Sequence, residues 1–276
     1  MRLATVSVNG GTAAAVLTDD RLSEIDGFAD VGALLRDGGL DLARAAAVNG
    51  RSRTFSPDEL LRPVLEPKAI VCVGLNYRDH ILEMGREIPE HPTLFAKLPA
   101  ALTDPVANIA IPSSSEEVDY EGELVVVVGR RVRDATPAVA ETAIAGYTLM
   151  NDVSMRDFQY RTLQWFAGKN FERSTPVGPC VVTADEVGDL ARRELRVAVN
   201  GELRQHARFG ELVFDPAALV ADVSQILTLE PGDLIATGTP GGVGYGMEPK
   251  LFLKDGDVVE VRVEGIGALR NRFVAA

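Results

Sequence analysis

The sequence predicts a mainly β fold of the α+β class, in which a small N-terminal α+β domain (residues 1–66) precedes a larger, mostly β domain (residues 67–276). Short apolar runs separated by glycine, proline, asparagine and aspartate indicate strands along most of the chain. Stretches with helical spacing are few and short. They concentrate before Pro67, and strand-like segments dominate from Ala69 onward.

The N-terminal domain opens with a predicted hairpin. An apolar run is followed by the turn Asn9-Gly10-Gly11 and a second run, Ala13 to Leu17. Helix-like stretches come next. Ser56-Pro57-Asp58-Glu59 has the pattern of a capping box with proline at the first helical position. Arg62-Pro63 and Glu66-Pro67 then end this short helix.

Strands in the larger domain are predicted at Ala69 to Val73, Thr93 to Ala96, Leu124 to Val128, and over the alternating Val259, Val261 and Val263. Asn200-Gly201 and Asp255-Gly256 have the composition of hairpin turns. Two helices are expected between strands. One begins at Thr136-Pro137 and ends by Gly146, and the other begins at Asp215-Pro216 and stops at Glu230-Pro231-Gly232.

Composition narrows the class of protein. The chain has 276 residues, 46% of them apolar and 25% charged, and its apolar runs are too short to cross a bilayer. The formal charge of −12 would repel a nucleic acid backbone. Because the N-terminus lacks the apolar core of a secretory signal, we expect a cytoplasmic protein. Cys72 and Cys180 lie in apolar runs, which favours buried, reduced thiols.

The strongest chemical pattern is an acidic cluster. Asp119, Glu121 and Glu123 would share one face of a continuous strand, and a hard divalent cation with oxygen ligands would relieve their repulsion. A further carboxylate, Asp152, follows the apolar run Tyr147 to Met150. The alternative is a solvated acidic strand edge, since runs of charge usually face water.

A second group of residues suggests acid–base chemistry. His80 and Glu83 are three apart in a helix-like segment, so the carboxylate could orient the imidazole as a general base, although a surface pair has the same spacing. Gly85 to Pro92 could form a mobile loop over a site. Lys97 and Lys169 adjoin apolar segments and could bind a substrate carboxylate or stabilise an enolate, or could be ordinary surface lysines.

A glycine-dense segment, residues 236–244, follows the apolar pair Leu234-Ile235. Its backbone N–H groups could hold an anion, but it lacks the ending of a nucleotide-binding P-loop, and an ordinary structural turn is the alternative.

Several motifs occur in a characteristic order: Gly74-Leu75-Asn76-Tyr77 with His80 and Glu83, Asp119-Tyr120-Glu121-Gly122-Glu123, Asn151-Asp152 with Arg156-Asp157 and Gln159, Gly168-Lys169 with Pro176-Val177-Gly178-Pro179, and Thr237-Gly238-Thr239-Pro240. Together they resemble the fumarylacetoacetate hydrolase family, in particular its short bacterial members with a small N-terminal domain. The resemblance runs from about Ala69 to the C-terminus. It implies a mixed β-sandwich roll that forms a homodimer.

The resemblance also implies roles for individual residues. Mg²⁺ or Mn²⁺, with Ca²⁺ possible in a crystal, would be held by Glu121, Glu123 and Asp152. His80 and Glu83 would form the acid–base dyad, and Lys169 would stabilise developing negative charge. The expected substrate contacts are Tyr77, Arg78, Lys97, Gln159 and Thr239.

The leading functional hypothesis is hydrolysis of a C–C bond in an acylpyruvate-like or fumarylpyruvate-like 1,3-dioxo acid, through an enolate that the metal and Lys169 stabilise. The same site could decarboxylate a 2-oxo diacid such as oxaloacetate, isomerise a 2-hydroxyhepta-2,4-diene-1,7-dioate, or hydrolyse a sugar acid. A catalytically silent dimeric scaffold is the alternative from a different class.

Overall fold

The computed structural model describes residues 1–78, 81 and 87–276, and its strands form three sheets. In these residues the strands are β1 (Arg2–Val8), β2 (Gly11–Thr18), β3 (Arg21–Ile25), β4 (Ser52–Thr54), β5 (Leu60–Leu61), β6 (Ile70–Gly74), β7 (Thr93–Ala96), β8 (Leu102–Thr103), β9 (Ile109–Ile111), β10 (Val118–Asp119), β11 (Gly122–Val128), β12 (Ile144–Asn151), β13 (Ser154–Met155), β14 (Thr175–Thr183), β15 (Glu194–Val199), β16 (Glu202–Arg208), β17 (Leu234–Ala236), β18 (Val258–Val263) and β19 (Gly267–Ala275).

Helices are short by comparison. The α-helices with described bounds are α1 (Val31–Arg36), α2 (Leu40–Asn49), α3 (Pro137–Glu141), α4 (Arg156–Gln159), α5 (Phe166–Lys169), α6 (Ala184–Val187) and α7 (Pro216–Ile226). None of the described helices is long and apolar enough to cross a membrane. The prediction of a mainly β fold is confirmed.

The largest sheet joins the N-terminal strands to the rest of the chain. Its main path runs β4-β3-β2-β1-β14-β12-β11-β17-β6-β7. β1 pairs antiparallel with β14, where Leu3 stands opposite Val181. Residues 1–66 therefore share one sheet with the larger part of the chain, and the domain boundary at residue 66 stays a prediction.

A five-stranded sheet, β16-β15-β18-β19-β9, packs against the large sheet. Gly122 marks one close approach, because a Cβ built on it would lie 2.3 Å from Cγ2 of Val197 in β15. Alternate residues of β11, such as Leu124 and Val126, belong to the same buried apolar cluster as Val197. Val125 and Val127 enter a second apolar cluster on the other face of β11. This strand is buried on both faces, which explains its unbroken run of valines.

Several predicted local structures are present. β1 and β2 form the predicted hairpin, Ser56 and Glu59 form the capping box on a single 3₁₀ turn, and Asn200-Gly201 joins β15 to β16. Asp215 caps α7 by accepting a hydrogen bond from the Ala218 N–H. Cys72 and Cys180 are buried free thiols, as expected.

The two predicted helices are shorter than the sequence expectation. The helix that begins at Thr136-Pro137 ends at Glu141, because the chain enters β12 at Ile144. The helix α7 ends at Ile226, before Glu230-Pro231-Gly232, and Leu229 pairs with Val132 in an isolated bridge. In both places β pairing takes residues that helical propensity alone would leave in a helix.

Candidate active site

Three carboxylates from separate places in the chain meet in the interior. Glu121, Glu123 and Asp152 are all buried, and each offers an oxygen that lies within 4.8 Å of the other two. Strand pairing causes this convergence. Gly122 at the start of β11 stands opposite Asn151 at the end of β12, so the residues that flank Gly122 lie beside the residue that follows Asn151. The Asp152 N–H donates a 2.7 Å hydrogen bond to the Glu121 carbonyl and fixes this register.

Two buried lysines contact the cluster. The Lys169 Nζ donates to Glu121 Oε2 at 2.6 Å and to Asp152 Oδ2 at 2.8 Å. The Lys97 Nζ donates to Asp152 Oδ1 at 2.5 Å and also to the Lys169 carbonyl. Both side chains are almost completely buried, so the alternative of ordinary surface lysines is wrong.

Arg156 forms the third cationic contact. Its guanidinium pairs with Asp119 at 2.8 Å and with Glu121 Oε1 at 2.6 Å, and it donates to Gln159 Oε1. Arg156 is itself buried. Charge-assisted contacts of this kind hold a carboxylate in one orientation, so Arg156 and Lys169 together fix Glu121.

Asp119 has a different place from the one that the strand period predicts. The chain leaves the strand conformation at Tyr120 and Glu121, between β10 and β11, so Asp119 and Glu123 do not belong to one continuous strand. The Asp119 carboxylate accepts from Arg156 and from the N–H groups of Gly244 and Tyr245. Asp119 therefore anchors the glycine-dense segment and Arg156 rather than joining the three-carboxylate cluster.

The glycine-dense segment does bind anions with its backbone, but the anions are side chains of the protein. The Gly238 N–H donates to Glu123 Oε2 at 2.9 Å, and Gly238 has a φ of +95°, a conformation that favours glycine. The Thr239 hydroxyl donates to the Gly122 carbonyl. This segment thus supports the acidic cluster from the side opposite β12.

The surroundings shift the protonation of the cluster in opposite directions. Burial, with the charges of Asp152 and Glu121, raises the pKa of Glu123 well above its usual value. Burial also disfavours the ionised form of Asp152, but Lys169 and Lys97 outweigh it and hold the pKa of that carboxyl below its ordinary value. For Lys169, burial opposes the charged form, yet Asp152 and Glu121 prevail and its pKa is raised.

The donor set fits a hard divalent cation. All three side chains offer carboxylate oxygens, which Mg²⁺ and Mn²⁺ prefer. Burial, and then the charges of Asp152 and Glu121, raise the pKa of Glu123, so a cation among the three carboxylates would favour its ionised form. Neighbouring groups already orient the carboxylates that would hold the cation. Arg156 and Lys169 contact Glu121, and the Gly238 N–H donates to Glu123.

A cavity of about 380 Å³ opens onto this cluster. Its wall is formed by Val73, Gly74, Leu75, Phe95, Glu121, Glu123, Arg156, Gln159, Tyr160, Trp165, Lys169, Thr239, Val243, Tyr245 and Gly246. The volume suits a small ligand, and the wall combines carboxylates, cations and aromatic rings.

The cavity separates the expected substrate contacts into two groups. Gln159 and Thr239 line it, and their contact with substrate stays a prediction. Tyr77 and Lys97 are buried and do not line it, and Arg78 is exposed. Lys97 contacts Asp152 and a carbonyl, so its position does not support the expectation of direct contact with substrate.

Most of the chain matches the sequence pattern of one known protein family. The sequence model described as fumarylacetoacetate (FAA) hydrolase, C-terminal, matches residues 69–274. The chain belongs to the fumarylacetoacetate hydrolase family. The predicted resemblance and the fold that it implied are therefore confirmed.

Two similar proteins of this family are named oxaloacetate tautomerases. An oxaloacetate tautomerase of Bos taurus mitochondria is 43% identical over 78% of this chain and 69% of its own length. The oxaloacetate tautomerase YisK of Bacillus subtilis is 41% identical over 80% of this chain and 74% of its own length. The protein is thus a fumarylacetoacetate hydrolase family enzyme.

Solved structures of the family match the whole chain. A fumarylacetoacetate hydrolase from Exiguobacterium antarcticum superposes with a TM-score of 0.88 at 35% identity, covering 100% of both chains. A maleylpyruvate hydrolase from Sphingobium sp. SYK-6, solved with manganese (II) and pyruvate, superposes with a TM-score of 0.83 at 28% identity, again covering 100% of both chains. That enzyme shows that the family fold can bind a divalent metal together with a small 2-oxo acid.

Two predicted members of the family site, His80 and Glu83, lie outside the described residues, as do the first residues of the loop from Gly85 to Pro92. Their roles stay predictions. Sequence reasoning also omitted Arg156 and the aromatic wall of Phe95, Trp165 and Tyr245 from the expected site residues. Arg156 stood in a quoted motif four residues after Asp152, which could have identified it, whereas no local pattern distinguishes the aromatic residues.

Proposed function

We propose that this protein is a divalent-metal-dependent enzyme that interconverts the keto and enol forms of a small 2-oxo diacid of the oxaloacetate type. The observation that carries the proposal is the placement of the Lys169 ammonium within 2.8 Å of two members of the three-carboxylate cluster, on the wall of a cavity of small-ligand size. The oxaloacetate tautomerases that are 41–43% identical to this chain support the reaction class.

Each residue has a distinct task in this proposal. A divalent cation held by Glu121, Glu123 and Asp152 would supply the positive charge that favours an enolate over the ketone. Lys169 lines the cavity, where its ammonium can donate a hydrogen bond to the oxygen on which charge develops. Gln159 presents an amide group that can orient the acid, whereas the Thr239 hydroxyl would have to exchange its hydrogen bond to the Gly122 carbonyl for one to the acid.

Tautomerisation moves one proton from carbon 3 of the substrate to the oxygen on carbon 2 and consumes no water. His80, oriented by Glu83, is the proposed carrier of this proton, on the basis of the family resemblance. Glu121 is held by Arg156 and Lys169 and is therefore unsuited to carry the proton itself.

Hydrolysis of an acylpyruvate is the second candidate. Its support is the maleylpyruvate hydrolase with bound manganese and pyruvate, whose fold matches this chain at a TM-score of 0.83. Hydrolysis would release a pyruvate enolate, whose charge the same groups could stabilise, and would need, in addition, a water activated by His80 and Glu83. Decarboxylation of a 2-oxo diacid would use the same charge stabilisation without that water.

One set of assays separates these reactions. Purified protein with Mg²⁺ or Mn²⁺ is given enol-oxaloacetate, keto-oxaloacetate and an acylpyruvate, while ultraviolet absorbance follows the enol and a coupled dehydrogenase measures pyruvate. We expect accelerated keto–enol exchange without pyruvate release, and loss of this rate with chelator and in Lys169→Met. Pyruvate from the acylpyruvate would instead establish the hydrolase, and no metal-dependent rate on any of the three would remove both candidates.

Two further properties are proposed, the first on the family resemblance and the second on the N-terminal sequence. We propose that the protein is a homodimer, which sedimentation equilibrium would test, and that it acts in the cytoplasm. The proposed small-molecule partner of the protein is its 2-oxo or 1,3-dioxo acid substrate.

A further inference from the structure

The buried charges around the cavity leave room for one substrate carboxylate but not for two. Four carboxylates, those of Asp119, Glu121, Glu123 and Asp152, face three cationic side chains, those of Lys97, Arg156 and Lys169. With every group ionised the cluster carries one net negative charge, and a bound divalent cation would change this to one net positive charge. The carboxylate next to the 2-oxo group of a substrate would neutralise it.

The distal carboxylate of a diacid therefore needs a cation from outside this cluster. Among the described residues, the cations that line the cavity are Arg156 and Lys169, and each is already paired with two carboxylates. Leaving a second carboxylate in the cavity without a counter-charge would be costly, since an unpaired charge loses its hydration there.

Lys250 is placed to supply that charge. Its Nζ lies 3.8 Å from the centroid of the Tyr245 ring, which is part of the cavity wall. The lysine is exposed, and within the described residues its ammonium forms no ion pair. The Tyr160 ring, also on the cavity wall, lies 5.0 Å from the Tyr245 ring, and about half of its surface is exposed.

The same tyrosine contacts both Lys250 and Arg156. The Arg156 Cζ is 5.8 Å from the centroid of the Tyr245 ring, and Arg156 contacts Glu121 directly. Tyr245 and Arg156 thus link Lys250 to the three-carboxylate cluster, and an extended small diacid is the class of ligand that could contact both ends.

We propose that Lys250, with the hydroxyl groups of Tyr160 and Tyr245, binds the distal carboxylate of a diacid substrate and so selects diacids over 2-oxo monoacids. This inference rests on the proposed function, because it assumes that the carboxylate cluster binds the 2-oxo acid end. Lys250 is a specificity residue here and takes no part in moving the proton.

The test uses two unreactive 2-hydroxy acids that differ in the distal carboxylate, malate and lactate, titrated by calorimetry into the Mn²⁺-loaded protein. Lys250→Ala should weaken malate binding by about three- to fivefold, the effect of losing one partly exposed ion pair, and leave lactate binding unchanged. Lys250→Arg should retain the preference for malate. Added salt should weaken malate binding by the wild type more than by Lys250→Ala.

Arg161→Ala is the matched control. Arg161 also rests on an aromatic ring, with its Cζ 3.3 Å from the centroid of Phe158, but neither residue is part of the cavity wall. The control should bind both acids as the wild type does. The inference is overturned if Lys250→Ala changes both affinities equally or changes neither, or if the wild type does not prefer malate. Wild-type protein that binds neither acid would overturn the proposed function as well.

Discussion

Glu123 is the member of the acidic cluster with the fewest compensating contacts. Among the described residues its hydrogen-bond partner is the Gly238 N–H, whereas Glu121 and Asp152 each pair with two cations. We expect Glu123→Gln to raise the melting temperature of the metal-free protein, since the amide keeps the Gly238 contact without the charge. In a chain of this size, each kcal/mol gained in the free energy of unfolding should raise the melting temperature by about 2–4 °C. Metal-induced stabilisation should disappear in the same variant.

The pH dependence of this effect has a definite sign. Because the folded state raises the pKa of Glu123, the folded protein binds this proton more tightly than the unfolded chain does. Ionisation of Glu123 therefore destabilises the metal-free fold as pH rises from the ordinary value of 4.5 toward the raised one. The advantage of Glu123→Gln should shrink as pH falls through that window. Glu141→Gln, at an exposed helix position, is the control that should show no such trend.

Lys97 stabilises the fold through Asp152. Both side chains are fully buried, so Lys97→Met would leave Oδ1 of Asp152 without its cationic partner, and the carboxylate would keep only its contact with Lys169. We expect a loss of about 3–5 kcal/mol in the free energy of unfolding, the usual effect of breaking a buried pair from one side. Denaturant titration measures it.

The matched comparison for Lys97→Met is Lys254→Met, at an exposed lysine whose backbone N–H, not its side chain, makes the local contact. Adding Asp152→Asn to Lys97→Met should recover part of the loss, because the buried charge that has lost one of its two cationic partners is then gone. A double variant no more stable than Lys97→Met would show that packing, rather than charge, accounts for the effect.

At the scale of elements, the site depends on how closely β11 approaches the five-stranded sheet. A Cβ on Gly122 would lie 2.3 Å from Val197 Cγ2 and 3.2 Å from Val261 Cγ1. Gly122→Ala should therefore move the start of β11 and cost about 1–3 kcal/mol of stability, as overpacking does. Since Glu121 and Glu123 flank this position, we also expect a loss of about tenfold in metal affinity.

Gly11→Ala provides the comparison for this strand. Gly11 begins β2, and a Cβ there would meet no heavy atom within 4 Å. Denaturant unfolding and calorimetric metal titration of both variants are the measurements. We expect Gly122→Ala to lose stability and metal affinity and Gly11→Ala to keep both. Equal metal affinity in Gly122→Ala and the wild type would mean that the carboxylates do not depend on this contact.

At the scale of the whole molecule, the N-terminal strands and the larger part of the chain form one sheet. β1 pairs with β14, and Leu3 and Val16 share an apolar cluster with Val125 and Val181. A protein cut to residues 67–276 would expose one edge of β14 and this apolar surface, which favours aggregation. We expect the truncated chain to be insoluble or to unfold without cooperativity, and the full chain to unfold in one transition.

Size-exclusion chromatography and thermal unfolding test this expectation. A monodisperse 67–276 fragment with a cooperative transition would show instead that residues 1–66 form an independent domain, as the composition of the sequence suggests. A fragment that recovers solubility only when residues 1–66 are added as a separate chain would agree with the shared sheet.

Local patterns predicted those elements whose conformation depends on neighbours in the chain. The hairpin at Asn9-Gly10-Gly11, the capping box at Ser56 and the cap at Asp215 follow from turn and cap chemistry that few residues complete. The strand period failed between Asp119 and Glu123, since Asp119 pairs with Arg156 and with N–H groups of residues 244–245. Contacts distant in sequence decided that conformation.

The sequence by itself determined the mainly β class, the family and the identity of the three carboxylates, because these depend on residue types at fixed positions along the chain. Tertiary structure alone decided that Lys97 is buried against Asp152, that Arg156 joins Asp119 to Glu121, and that Tyr245 brings Lys250 to the cavity. The physical reason is that burial and charge compensation are properties of neighbours in space. Pairing of β11 with β12, and packing of both sheets, create those neighbours from residues far apart in the chain.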